Sequence, residues 1–268
     1  MKETITLLSP LNDLVFKRIF THIPVLKDFL MAVLGAPEDS FEGLTVTDPN
    51  LIPPAVDGKL AILDVKATTR SGEVFDIEIQ VFRTAAMRAR MLFYNWMLST
   101  EQLGAGHNYG SLKPAVSIII SGDTFIREEK DCHNEYRILN VKSHKDFTNL
   151  FALHTLELSK LGVGAMSQEL KDWLKFLTAK TKEDYMEAGL DNPAIAAAYK
   201  TLVDMCSDPV FRAEVKARQK AIWDYNSNHD IEGFRKEGRE EGREEGREEG
   251  REEGREEILE LIRQGYSA

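Results

Sequence analysis

Residues 60–68 read LAILDVKAT and residues 74–82 read VFDIEIQVF, with TRSGE between them. Both runs alternate apolar and polar residues with the period of two that marks a β-strand. The Ser71-Gly72 pair in the linker supplies turn chemistry, so the stretch predicts a β-hairpin. In the second strand Phe75, Ile77, Ile79 and Val81 share one face, and Asp76, Glu78 and Gln80 share the other. In the first, Leu63, Val65 and Ala67 alternate with Asp64, Lys66 and Thr68. The two polar faces coincide only if the residues between the last pair are odd in number. A turn of three or five residues is therefore expected rather than two. That geometry sets Asp64 across the ladder from the Glu78–Gln80 region, where facing side chains stand about 5 Å apart at Cβ. Carboxylates that close repel each other unless a cation lies between them. Oxygen ligands of this kind suit Mg²⁺, which keeps open positions for water and phosphate. The bland alternative is the solvated polar face of an ordinary hairpin. Against it, acidic residues are poor strand formers, yet three of them interrupt apolar strands here.

Upstream of the hairpin, residues 11–34 read as a pair of amphipathic helices. Ser9 is the expected cap with Pro10 at the first helical position, and Gly35 is the expected stop. A short strand is expected at 43–47. Downstream of the hairpin come a long helix over 84–104 and a loop to Pro114. AVSIIIS at 115–121 is apolar enough for a strand buried on both faces. Further strands are expected at 137–141 and 151–158, then helices near 166–179, 192–206 and 208–235. The order predicts an α/β fold, a mixed β-sheet flanked by helices with an α-helical C-terminal portion. It divides into residues 1–160, a helical region 161–235 and a charged tail 236–268.

That tail contains GREE five times over, from Gly238 to Glu257. One Arg and two Glu per unit place half of the net charge of −10 in this block, so a local basic face elsewhere remains compatible with the total. A Gly every fourth residue costs about 1 kcal/mol each in a helix relative to Ala. The block therefore reads as a frayed or flexible helix, or else as a self-association helix ending in the apolar Ile258, Leu259, Leu261 and Ile262. No apolar stretch approaches the roughly 20 residues that a membrane span needs, and no secretory leader is legible. Cys132 and Cys206 have no metal-ligand spacing and read as free thiols of a reducing, cytoplasmic setting. His107 and His133 read as isolated. The Met and Trp residues of 91–97 read as core. No phosphate loop, zinc-finger spacing or nucleophile elbow is present.

SPLNDLVFKRIF (9–20), DGKLAILDVKATTRSGEVFDIEIQ (57–80), RMLFYNWMLSTEQL (90–103) and YGSLKPAVSIII (109–120) together resemble the PD-(D/E)XK nuclease family transposases, the recombination-promoting nuclease family. The likeness continues through DWLKFL (172–177) into the Gly-Arg-Glu repeats. It implies a restriction-endonuclease-like domain and a metal-dependent DNA endonuclease, with Mg²⁺ as the expected ion and Mn²⁺ or Ca²⁺ as substitutes. A bacterial or mobile-element setting, in recombination or defence, would follow. Asp64 and Glu78 take the places of the metal-binding carboxylates. Gln80 falls where many such nucleases carry Lys, and a neutral amide orients water but cannot neutralise phosphate. Charge stabilisation must then come from the metal or from arginine.

Asp13 and Lys17 match the D-x-x-F-K pattern of the first helix. They are either a metal-proximal acid and a DNA contact, or a surface i,i+4 ion pair. Arg90 is the expected phosphate contact, whereas Arg83 and Arg88 fit a solvated helix face equally well. The expected partners are DNA and a second copy bound through the C-terminal helices. RNA is not distinguished from DNA by these residues. The competing function is a catalytically inactive nuclease fold that acts as an interaction module through its helical tail.

Overall fold

The computed structural model describes residues 7–51, 61–80, 87–104 and 106–222. Arg83, the GREE block and the apolar 258–262 segment lie outside them. The chain divides into two compact units, residues 1–219 and 220–268. The first unit holds the sheet and its helices.

Six strands form one mixed sheet in the order β1-β4-β5-β6-β8-β7. They are β1 (Thr45–Thr47), β4 (Val65–Thr68), β5 (Val74–Gln80), β6 (Ala115–Ser121), β7 (His133–Arg137) and β8 (Phe151–Glu157). A separate two-stranded ladder joins β2 (Asn50–Leu51) to β3 (Ala61–Ile62). The hairpin β4-β5 is antiparallel and β5-β6-β8 is parallel. This mixed α/β sheet, flanked by helices, is the restriction-endonuclease-like architecture expected from the sequence.

The hairpin turn has three residues, because Thr69 N–H donates to the Glu73 carbonyl and closes Arg70-Ser71-Gly72 between them. Gly72 N–H donates to the Thr69 carbonyl. Gly72 sits at φ +93°, the left-handed conformation such a turn requires and a side chain resists. The register sets Val65 against Ile77 and Lys66 against Asp76, so the polar faces do coincide. The expected single strand over 60–68, however, breaks at Leu63-Asp64. Leu63 N–H turns to the Pro49 carbonyl, and Asp64 N–H is taken by a side chain rather than by a ladder partner.

Helices α1 (Asp13–Phe20), α2 (Ile23–Leu34), α4 (Gln168–Thr178) and α6 (Pro193–Ser207) bury one sheet face. Val65, Ala67, Phe75, Ile77, Ile79, Ile118 and Ile120 point into this core. The C-terminal helices thus share their core with the N-terminal pair. α5 (Lys182–Glu187), which local periodicity does not predict, starts at a capping box in which Thr181 and Asp184 exchange hydrogen bonds. The opposite sheet face carries α3 (Met87–Glu101), whose Met91, Met97 and Leu98 are buried.

Three local expectations need correction. Asn12, not Ser9, caps α1, because its side-chain oxygen accepts from Leu14 and Val15 N–H. The strand expected at 137–141 lies at 133–137, where it pairs antiparallel with β8. Trp96 is not core: its side of α3 faces solvent. Cys132 and Cys206 are free and buried.

His133 also proves not to be isolated. Its Nε2 lies 3.0 Å from His154 Nδ1 on the neighbouring strand. Burial first, then the neighbouring His133, pulls the His154 pKa down to about 4. Unfolding raises it to the ordinary value near 6.5, so the unfolded chain takes up this proton first. Stability from His154 is therefore complete above pH 6.5 and lost as pH falls toward 4. His154→Leu should flatten the urea-midpoint slope between those pH values. An unchanged slope would count against the buried neutral pair.

Candidate active site

Asp64 and Glu78 are tied together by two hydrogen bonds between the bend at Asp64 and β5. Asp64 N–H donates to Glu78 Oε1 at 2.8 Å, and Asp64 Oδ2 accepts from Ile79 N–H at 2.9 Å. The break in the strand makes this possible, since it frees the Asp64 N–H from any ladder. Each carboxylate has one further oxygen, and each of those meets a cation. Lys17 Nζ, from α1, stands 3.3 Å from Asp64 Oδ1. Arg90 Nη2, from α3, stands 3.3 Å from Glu78 Oε2. Arg90 Nη1 also donates to Gln80 Oε1 at 3.4 Å. Asp64, Glu78, Gln80, Lys17 and Arg90 therefore converge from β5, the bend before β4 and two helices on opposite sheet faces.

Asp13 stands close enough for its charge to push the Asp64 pKa upward. It does not form the i,i+4 pair open to it on the helix surface. Arg218, 205 positions away, donates from Nε to Asp13 Oδ2 at 2.7 Å, while Asp13 Oδ1 is buried without a hydrogen-bond partner. No sequence signal pointed to Arg218, which shares no element or periodicity with Asp13. Nor does β5 itself carry a lysine at the site. Lys17 brings the missing positive charge from another element. Arg88, by contrast, is turned outward and paired with Glu128.

Burial dominates the electrostatics. Glu78 is 3% exposed, and desolvation, followed by the Asp64 charge, raises its pKa to about 8. Desolvation likewise raises that of Asp64. Asp76, a third acid on the same face, is wholly buried between its register partners Lys66 and Ser117. No well-formed hydrogen bond reaches either of its oxygens, and burial and its acidic neighbours hold its pKa well above the usual range. Lys66 turns away to Glu101. Asn95 of α3 braces the layer, donating to the Ala115 and Ala152 carbonyls and to Ser117 Oγ.

The donor chemistry fits a hard divalent cation. Asp64 and Glu78 offer anionic oxygens whose charge is costly without a counter-ion. The orphaned Asp13 Oδ1 is an acceptor in want of a partner. Among the described residues, no group of three or more His, Cys, Asp or Glu is arranged to hold an ion. Two carboxylates would leave the remaining positions to water and phosphate, as Mg²⁺ sites commonly do.

A sequence profile of the PD-(D/E)XK nuclease family transposases matches residues 10–232, most of the chain. The protein belongs to this family. Membership carries the restriction-endonuclease-like fold and points to a nuclease- or transposase-related function. No curated protein and no solved structure matched the chain. Among the described residues, no helix of this family member is long and apolar enough to cross a membrane.

The raised Glu78 pKa has a measurable consequence. With its pKa raised to about 8, Glu78 would have to give up a proton to bind a cation at neutral pH. Stabilisation of the full chain by Mg²⁺ or Mn²⁺, read as a rise in melting temperature, should grow from about pH 6 to about pH 8.5. A shift that is flat with pH, or larger at the acid end, would show that ion binding displaces no proton from Glu78.

Proposed function

We propose that this chain is a divalent-metal-dependent DNA endonuclease that hydrolyses phosphodiester bonds, with Asp64 and Glu78 as the metal-binding pair. The observation that supports this most directly is the convergence of these two buried carboxylates with Lys17 and Arg90 across a site that α1, β5 and α3 build together. When bound, Mg²⁺ or a similar ion would polarise the scissile phosphate and acidify an attacking water. The chain's own residues supply the rest. The Asp64 N–H fixes the Glu78 carboxylate, and the Ile79 N–H fixes that of Asp64. Gln80, held by Arg90, has an amide able to orient water. Lys17 and Arg90 neutralise the carboxylates in the resting state, and both can turn to phosphate oxygens when a cation takes over that role. Asp13, fixed by Arg218, serves as an auxiliary acceptor beside Asp64. DNA as substrate, and a place in recombination or mobile-element activity in a bacterial cytoplasm, accord with family membership.

The test is direct. Purified full-length protein should nick or linearise supercoiled plasmid with Mg²⁺ or Mn²⁺ and leave it intact in EDTA. Plasmid untouched in every metal, together with no metal-induced thermal shift, would favour the reading of an inactive nuclease fold working as an interaction module.

A further inference from the structure

α3 has two sides with different tasks. Met91, Asn95 and Leu98 pack onto the sheet, while Leu92, Phe93 and Trp96 are 37%, 36% and 58% exposed. Large apolar side chains grouped on one exposed helix face mark a contact surface rather than chance. This one is continuous with the candidate active site. Glu78 holds Arg90, and the Arg90 guanidinium lies 5.1 Å from the centre of the Tyr94 ring. The Tyr94 and Phe93 rings are 6.3 Å apart, and Trp96 follows Phe93 by one helical turn. A track of rings thus leads from the buried carboxylate out over α3.

We infer that this track is a platform on which unpaired nucleobases stack, so that the site takes a nucleic-acid strand with single-stranded or frayed bases in preference to uninterrupted duplex. The inference rests on the nuclease reading above and narrows its substrate class. Stacking explains both the residue types and their place. Every base has a π-face, so a row of rings beside a phosphate-binding arginine holds a strand whatever its sequence. Arg90 stands at the junction, touching Glu78 and Gln80 on one side and the first ring on the other. A second copy of the chain is a poorer occupant. Three side chains on one helix fall well short of the roughly 800 Å² per partner that a stable interface buries. Three rings spaced along a helix are nevertheless enough for a few bases.

The test uses the full-length chain in EDTA, so that binding is read without cleavage. Fluorescence anisotropy compares a labelled single strand of about 20 nucleotides, long enough to span one binding site, with its duplex. The single strand should bind more tightly. Trp96→Ala should weaken single-strand binding by roughly 5- to 100-fold, the loss of one stacked base, and change duplex binding less than twofold. Trp96→Phe, which keeps a ring, should recover most of the loss, and an unchanged melting temperature shows that the variants fold. Equal binding of both forms, or a single-strand affinity indifferent to Trp96→Ala, overturns the inference. So does a wild-type dimer that Trp96→Ala turns into monomer in sedimentation, since a second copy then covers the patch. Plasmid cutting without strand preference refutes only the platform. Strand preference sensitive to Trp96, without cutting in any metal, supports the platform and removes the endonuclease.

Discussion

Replacing Asp64 by Ala should abolish plasmid cleavage in every divalent ion, a loss of at least roughly 10³-fold, or several kcal/mol of transition-state stabilisation. Two contacts and one of the paired carboxylates disappear together. The Ile79 N–H loses its acceptor, Lys17 loses its counter-ion, and the Glu78 carboxylate is left as the only member of the pair. The same substitution removes the nearest negative charge acting on Glu78, so the pKa of Glu78 should fall. The metal-induced thermal shift should vanish in the variant, although its melting temperature without metal stays close to wild type or rises. That rise has a physical cause: a buried carboxylate held at an unfavourable pKa has been removed. Cleavage by Asp64→Ala preparations at the wild-type rate would defeat the assignment outright. Loss of cleavage with the thermal shift intact would move the metal away from Asp64.

The largest stability effect should come from Trp173, far from the chemistry. It is fully buried on α4, with ring centroids 5.6 Å from Phe20 and Phe29 and 5.7 Å from Phe176. Its indole N–H donates to Asp28 Oδ1 on α2 at 2.7 Å, and Asn192, the α6 cap, donates to the same oxygen. One side chain therefore ties α1, α2 and α4 together and helps to place the cap of α6. Trp173→Ala should cost about 3–5 kcal/mol, the usual range for an aromatic cavity, and lower the melting temperature by roughly 6–20 °C. Trp173→Phe keeps most of the packing and should cost clearly less. Activity per folded molecule should fall as well, because α1 carries Lys17 and Asp13. Equal stability of the Ala variant and wild type would mean that α4 does not close this core.

The hairpin was legible because its information is local. Period-two alternation defined the faces, and parity required an odd turn, which proved to be Arg70-Ser71-Gly72. The apolar AVSIIIS strand was legible for the same reason, and its bounds match β6. Local pattern failed where a side chain competes with backbone pairing. Asp64 takes part in two hydrogen bonds that no alternation encodes, and they end the strand expected to run through it. Trp96 was misplaced because α3 carries apolar residues on both sides, which leaves no periodic signal for which side is core.

The fold class, the polar face bearing Asp64, Glu78 and Gln80, and the family all follow from the order of residues alone. How that face is neutralised does not, and was settled by packing in three dimensions. Lys17 reaches Asp64 from 47 positions away and Arg218 reaches Asp13 from 205. Charge compensation follows distance in space, and a chain can draw the compensating cation from any element that packs nearby. The carboxylates could be read from one hairpin, but the positive charges that make them usable came from two helices on opposite sides of the sheet.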